Sequence, residues 1–188
     1  RPARPRERMQ NDVPDEGVTA PEIHRVTTLD LSFEPAHWSF AEERRDDIAR
    51  YFAAAQAKRP LWNGRVLLAR NPLLGDGRFA ASYFETDFAS FLAWRDWGFP
   101  DKTVFNAPGS GALRGSDGAF ALGVMGEHTA NAGRIYFPAG TPEPDDLRGL
   151  EVDIAGSVTR EVEEETGLAA ADYRAADHWH CVASGQMI

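Results

Sequence analysis

Cysteine and lysine are nearly missing from this sequence. Cys181 stands alone among 188 residues, which excludes an internal disulfide, a disulfide framework and a zinc site built from four cysteines. Lys58 and Lys102 are the two lysines among 20 basic residues. Contacts to phosphate or carboxylate therefore fall to arginine, whose planar fork suits bidentate pairing. No run approaches the roughly 20 apolar residues needed to cross a bilayer, and no apolar segment follows the basic N-terminus as a signal peptide requires. The expectation is a soluble, cytoplasmic chain. Positive charge is in deficit too. Twenty Lys and Arg face 29 Asp and Glu, a net charge of −9, which disfavours non-specific contact with nucleic acid or an anionic membrane. No nucleic-acid or membrane partner is expected.

What is present is a globular composition, 43% hydrophobic and 26% charged, which excludes fibrous and wholly disordered classes. The first ten residues, RPARPRERMQ, begin without Met and carry four arginines and two prolines. Residues 1–22 lack periodic apolar positions, cannot offset the entropy of ordering, and read as a flexible arm. From His24 to Phe33 the pattern reads as a strand. Ser39 and Glu42 have the spacing of a capping box before a helix with a stripe of Phe40, Ile48, Tyr51, Phe52 and Ala55. Residues 64–70 and 78–85 read as a hairpin around Asn71-Pro72 and Gly75-Asp76-Gly77. Asp87 opens a short amphipathic helix that Gly98 ends. Strands are expected at 103–106, 119–127, 133–137 and 178–182, and a helix at 157–166 closed by Gly167. Alternating strands and helices without repeats indicate an α/β or α+β sheet with helices packed on it.

The chemistry concentrates in Arg160-Glu161-Val162-Glu163-Glu164-Glu165-Thr166-Gly167-Leu168. At about 100° per residue, Ile154, Val158 and Val162 form an apolar seam. Glu161, Glu164 and Glu165 share one arc beside it, and Glu163 points away. Like charges three and four residues apart weaken an isolated helix. Two explanations stand: a solvated acidic face, or a divalent cation with oxygen preference, Mg²⁺ or Mn²⁺, held by the carboxylates with positions left for phosphate oxygens.

REVEEETGL resembles the second half of the Nudix box, the Arg-Glu-aliphatic-x-Glu-Glu-x-Gly-aliphatic signature of the Nudix hydrolases. Arg160, Glu161, Val162, Glu164, Glu165, Gly167 and Leu168 match all its specified positions. Phe137-Pro138-Ala139-Gly140 is similar to the strand and loop that enter the box, with Gly140 as its first glycine. The resemblance implies a Nudix-type α/β/α sandwich with a mixed sheet. It divides the chain into the arm 1–22, an N-terminal α/β extension 23–100 and a Nudix domain 101–188. It also implies Mg²⁺-dependent cleavage of the pyrophosphate bond in a nucleoside diphosphate linked to another moiety. Glu161, Glu164 and Glu165 would be metal ligands, and Arg160 would orient the carboxylates. A small nucleotide is the implied partner, and a homodimer the implied assembly.

The chain departs from the pattern at two places. Asp146 stands where the family has Glu, and the interval from Asp146 to Arg160 is six residues longer than the pattern, the extra residues falling in 148–154. The longer loop leaves the role of Asp146 open. Only 20 residues follow Leu168, whereas the family carries further strands after the box, so a C-terminal part is expected to be missing from the sequence or supplied differently.

The order of elements, LWNG before a strand and FLAWRDW in a helix, loosely resembles the branch of the family acting on UDP-sugars. Trp94, Trp97, Tyr83 and Phe84 could stack on a base, or could simply be core. Residues 109–115 (GSGALRG) could cradle a phosphate, or could connect a hairpin. Arg114 and Arg134, which flank the strands leading to Gly140, are the candidate substrate-binding residues with Gly140 itself. His178 and His180 share a strand face and Cys181 the other, which favours an ordinary strand over a metal site. A non-catalytic nucleotide sensor and a plain acidic interaction domain are the rival functions; the second expects no response to divalent ions.

Overall fold

The computed structural model describes residues 21–126 and 133–188. Residues 1–20 of the expected arm, and Glu127 of the expected strand 119–127, lie outside the described residues. Pro21 and Glu22 lie within them, and Glu22 already opens a strand.

The stretch read as one strand is two, β1 (Glu22–Val26) and β2 (Thr28–Phe33), broken at Thr27, whose N–H turns to donate to Gly77 O. The following helix is likewise two, α1 (Ser39–Glu43) and α2 (Arg45–Gln56). Ser39 does not cap it: Trp38 is the N-cap residue and makes no side-chain cap bond, because Trp38 is committed to the core. Ile48 and Phe52 of the expected stripe are buried.

β3 (Arg65–Gly75) and β4 (Arg78–Asp87) form the expected hairpin. Asp76 and Gly77 at its tip have φ of 50° and 72°, the positive pair that a two-residue Asp-Gly turn needs. Asn71-Pro72 is not a turn. It is a bulge inside β3, with Asn71 at φ 50° and the register slipping between Arg70 and Leu73. A bulge leaves a residue out of the ladder, which lets proline sit inside a strand.

Asp87 then caps α3 (Phe88–Asp96) by accepting from Ser90 N–H. This helix is not amphipathic: every residue from Ala89 to Trp94 is buried. The short strands β5 (Val104–Phe105), β6 (Gly109–Ser110), β7 (Gly123–Val124), β8 (Ile135–Tyr136) and β9 (Ala139–Gly140) follow. A single 3-10 turn spans Pro144–Asp146, then come β10 (Leu147–Arg148), β11 (Glu151–Val152), α4 (Ile154–Thr166) and β12 (Trp179–Ala183).

The chain is a mixed α/β structure. A six-stranded mixed sheet has the order β10-β11-β2-β4-β3-β5, with β2 and β4 parallel and the remaining pairs antiparallel. Its strands come from both sides of residue 100. Alternation along β3 sends Val66 and Leu68 to one face and Leu67 and Ala69 to the other, as the two-residue period of a strand requires. The first face packs on Trp38 and on Phe91 and Trp94 of α3, with α2 behind that helix. The second packs on Ile154 and Val158 of α4 and on Cys181 of the β1–β12 ribbon. Trp94, Tyr83 and Phe84, three of the four stacking candidates, are fully buried and belong to this core. Among the described residues no helix is long and apolar enough to cross a membrane.

Asp101 satisfies both buried indoles, Trp38 Nε1 donating to its carboxylate and Trp94 Nε1 to its carbonyl, each at 2.9 Å. Trp94→Ala removes the largest fully buried side chain and should lower the unfolding free energy by about 3–5 kcal/mol, read from chemical denaturation. A loss below about 1 kcal/mol would show that the region repacks around the void.

Candidate active site

α4 is fixed at both ends by local chemistry. Asp153 accepts from Gly156 N–H at 2.8 Å as N-cap, and Gly167, in the left-handed region at φ 75°, closes the helix with its N–H on Glu163 O. The helix starts three residues before the expected Ser157, because the cap is Asp153. Its seam is as expected: Ile154 and Val162 are buried and Val158 packs beside them.

The strands beneath this seam are bare. A Cβ at Gly109 would collide with Val158 Cγ2 and stand 2.9 Å from Ile154 Cγ2, and one at Gly111 would collide with Val162 Cγ2. Two glycines of 109–115 are thus glycine because a helix lies on them, while Gly115 opens the turn of a small hairpin, its N–H on Ala119 O and Arg114 bridged to Phe120, as the hairpin reading expects. β6 pairs with β9, Gly109 opposite Gly140, and Gly140 completes the bed. A Cβ there would collide with Glu161 Oε1 and stand 2.9 Å from Oε2.

Glu161 is therefore pressed against backbone, its side chain 17% exposed. Glu165, one turn on, accepts a hydrogen bond from Ala139 N–H. Glu164 is open to solvent. Arg160 lies between helix and loop, its Nη1 donating to Asp146 Oδ1 at 2.9 Å and its Nη2 to Glu161 Oε1 at 3.2 Å, with Glu164 4.0 Å from Nε. Asp146 is 3% exposed, and its Oδ2 also accepts Glu143 N–H at 2.9 Å.

The enlarged loop does not displace Asp146. The extra residues form the β10–β11 hairpin around Gly149 (φ 66°), and that hairpin joins the edge of the sheet through Glu151 opposite Ser32. Its two ends are tied by Asp153 N–H donating to Asp146 O at 2.9 Å. The excursion returns to its starting point, so Asp146 reaches Arg160 despite the interval. Sequence pattern left this residue unassigned; the signal available was its place six residues after Gly140.

Arg160, Glu161, Glu164, Glu165 and Gly140 are thus together, with Asp146 added. Arg114 and Arg134 make local contacts. Arg114 donates to Gly118 O at 3.2 Å and lies over the Phe120 ring. Arg134 is exposed beside the β7–β8 hairpin, its carbonyl accepting Met125 N–H. Among the described contacts neither reaches the acids. His178 and His180 stack edge-on with ring centroids 5.0 Å apart, and Cys181 is buried on the other face.

Burial pushes the Glu165 carboxyl above its ordinary range, and the charges of Glu161 and Glu164 push the same way, against the pull of Ala139 N–H. Burial likewise raises Glu143, with Arg160 opposing it. Burial also works against the charge of Arg160, but hydrogen bonds and charge from Asp146 and Glu161 hold it above arginine's usual value.

A hard divalent ion suits this donor set: carboxylate oxygens on one helix face, one carboxylate brought against backbone by a missing Cβ, and an acid burdened by like charge. Among the described residues no three His, Cys, Asp or Glu side chains already converge as a metal-binding group. Neither the family models nor the curated proteins compared with the chain give a match.

The raised Glu165 carboxyl has a thermodynamic sign. The folded state holds the proton more tightly than the unfolded chain. The stability this contributes is full below the ordinary glutamate value and is lost as pH rises through the raised one. Glu165→Gln keeps an acceptor for Ala139 N–H and removes the charge. In EDTA it should melt higher than the wild type at pH 7–8, with the gap closing below about pH 4.5. Melting curves across that pH range decide it; a constant gap would mean that charge is not the cause.

Proposed function

We propose that the chain is an Mg²⁺-dependent hydrolase of the Nudix type, built on a Nudix-type α/β/α sandwich with an N-terminal extension. Its reaction would be cleavage of the pyrophosphate bond of a nucleoside diphosphate linked to another moiety, a sugar being one candidate. The observation that carries this reading is the joint placement of Glu161 and Glu165 against β9, with Arg160 tied to buried Asp146 behind them. An acidic face that served only to be hydrated would need neither the glycine under Glu161 nor a buried ion pair to set its arginine.

Glu161, Glu164 and Glu165 would hold Mg²⁺ or Mn²⁺, which would neutralise phosphoryl charge and lower the pKa of the attacking water. The residues of this chain then do three things. Arg160, clamped by Asp146, holds Glu161 Oε1 through a charge-assisted hydrogen bond and fixes that carboxylate in one orientation. Glu161 Oε2, which Arg160 does not engage, can accept the proton of the water as its oxygen attacks phosphorus. The bridging P–O bond breaks on the far side and the second phosphate leaves with the electron pair. Gly140 lets the Glu161 carboxylate approach the backbone closely.

A panel of nucleoside diphosphate sugars, dinucleotides and nucleoside triphosphates, incubated with Mg²⁺ and resolved by chromatography, tests this. Cleavage is expected, and Glu164→Gln and Glu165→Gln should each lower turnover by orders of magnitude with the fold intact. Wild-type rates in either variant would overturn the assignment. Binding without cleavage across the panel would favour a nucleotide sensor.

A further inference from the structure

A diphosphate brings negative charge to a helix face whose three acids outweigh one divalent ion, so a basic side chain is needed beside the metal. Arg160 is engaged by Asp146 and Glu161, and Arg114 is engaged by Gly118 O and the Phe120 ring. Backbone connections lead instead to Arg65, at the start of β3. Leu67 N–H donates to Pro142 O at 2.7 Å, which stitches β3 to the strand leaving Gly140.

β6 pairs antiparallel with β9, Gly109 opposite Gly140. Arg65 and Gly140 each lie two residues from the Leu67–Pro142 hydrogen bond, which keeps the start of β3 near the end of β9. Leu67 packs in the cluster that contains Ile154 and Val158, so its face is the face of α4. Arg65, two residues earlier, shares that face by the period of the strand.

Glu85 stands opposite Leu67 on β4. It grips Arg65 through Nε at 2.6 Å and through Nη2. That fork fixes the guanidinium and leaves Nη1 for another acceptor, and the Arg65 side chain is 65% exposed.

We propose that Arg65, oriented by Glu85, binds a phosphoryl group of the nucleoside diphosphate substrate at this site. The inference rests on the hydrolase reading of α4. Arg65 supplies the charge-assisted contact that the acids cannot, and the Glu85 carboxylate acts as a positioning residue through it.

Calorimetric titration with methylene diphosphonate, a pyrophosphate analogue whose P–C–P link cannot be hydrolysed, with and without Mg²⁺, is the test. The wild type should bind in the Mg²⁺ arm. Arg65→Gln should weaken that affinity about tenfold or more, and Arg65→Lys should restore part of it, because lysine keeps the charge and loses the fork. Glu85→Gln should fall between, raising KM for any cleaved nucleotide more than it lowers kcat. Equal affinity in wild type and Arg65→Gln, or no binding by the wild type in either arm, would overturn the proposal. Arg65-dependent binding with no substrate cleaved anywhere would instead count against the hydrolase reading and leave the phosphate contact standing.

Discussion

Helix α4 can lie close to the strands under it because those strands offer almost no side chains. Gly109, Gly111 and Gly140 present bare backbone where Ile154, Val158, Val162 and Glu161 come down, and a methyl group at any of the three would have to displace a helix side chain. That close approach sets the height of the helix, and the height decides what its acids touch. With larger residues in the bed, Glu161 would stand off the strand and Glu165 would lose Ala139 N–H.

A second constraint acts from the side. Asp146 is a buried carboxylate, which a protein interior tolerates only when it is paired and hydrogen-bonded. Arg160 and Glu143 N–H meet that need, and in doing so they fix the rotation of α4 about its axis. The loop insertion that separates the two partners in sequence is absorbed as a hairpin whose ends are hydrogen-bonded together. An insertion that leaves and returns at one point costs little beyond loop closure, so the ion pair survives it.

Legibility in the sequence followed the range of the interactions. α4, its seam and its terminal Gly167 were readable because caps and helical periodicity are local. The β3–β4 hairpin was readable from Asp76-Gly77 for the same reason. Ser39 failed as a cap because Trp38 beside it is held by the core and by Asp101, 63 residues away. Asn71-Pro72 failed as a turn because its neighbours on β4 keep the ladder going past it. The acids of the candidate site were legible as a pattern, whereas the pairing of Asp146 with Arg160 and of Arg65 with Glu85 was not, since each joins partners distant along the chain.

The sequence by itself determined that Glu161, Glu164 and Glu165 share one side of a helix that ends at Gly167, because that follows from 3.6 residues per turn and a left-handed glycine. Only the tertiary structure decided that this side meets Gly140 and Ala139, that Asp146 stands behind Arg160, and that Glu85 fixes Arg65 at the start of β3. Those are relations between segments far apart in the chain. Strand pairing and the burial of the α4 seam set them, and neither is encoded in any local window of residues.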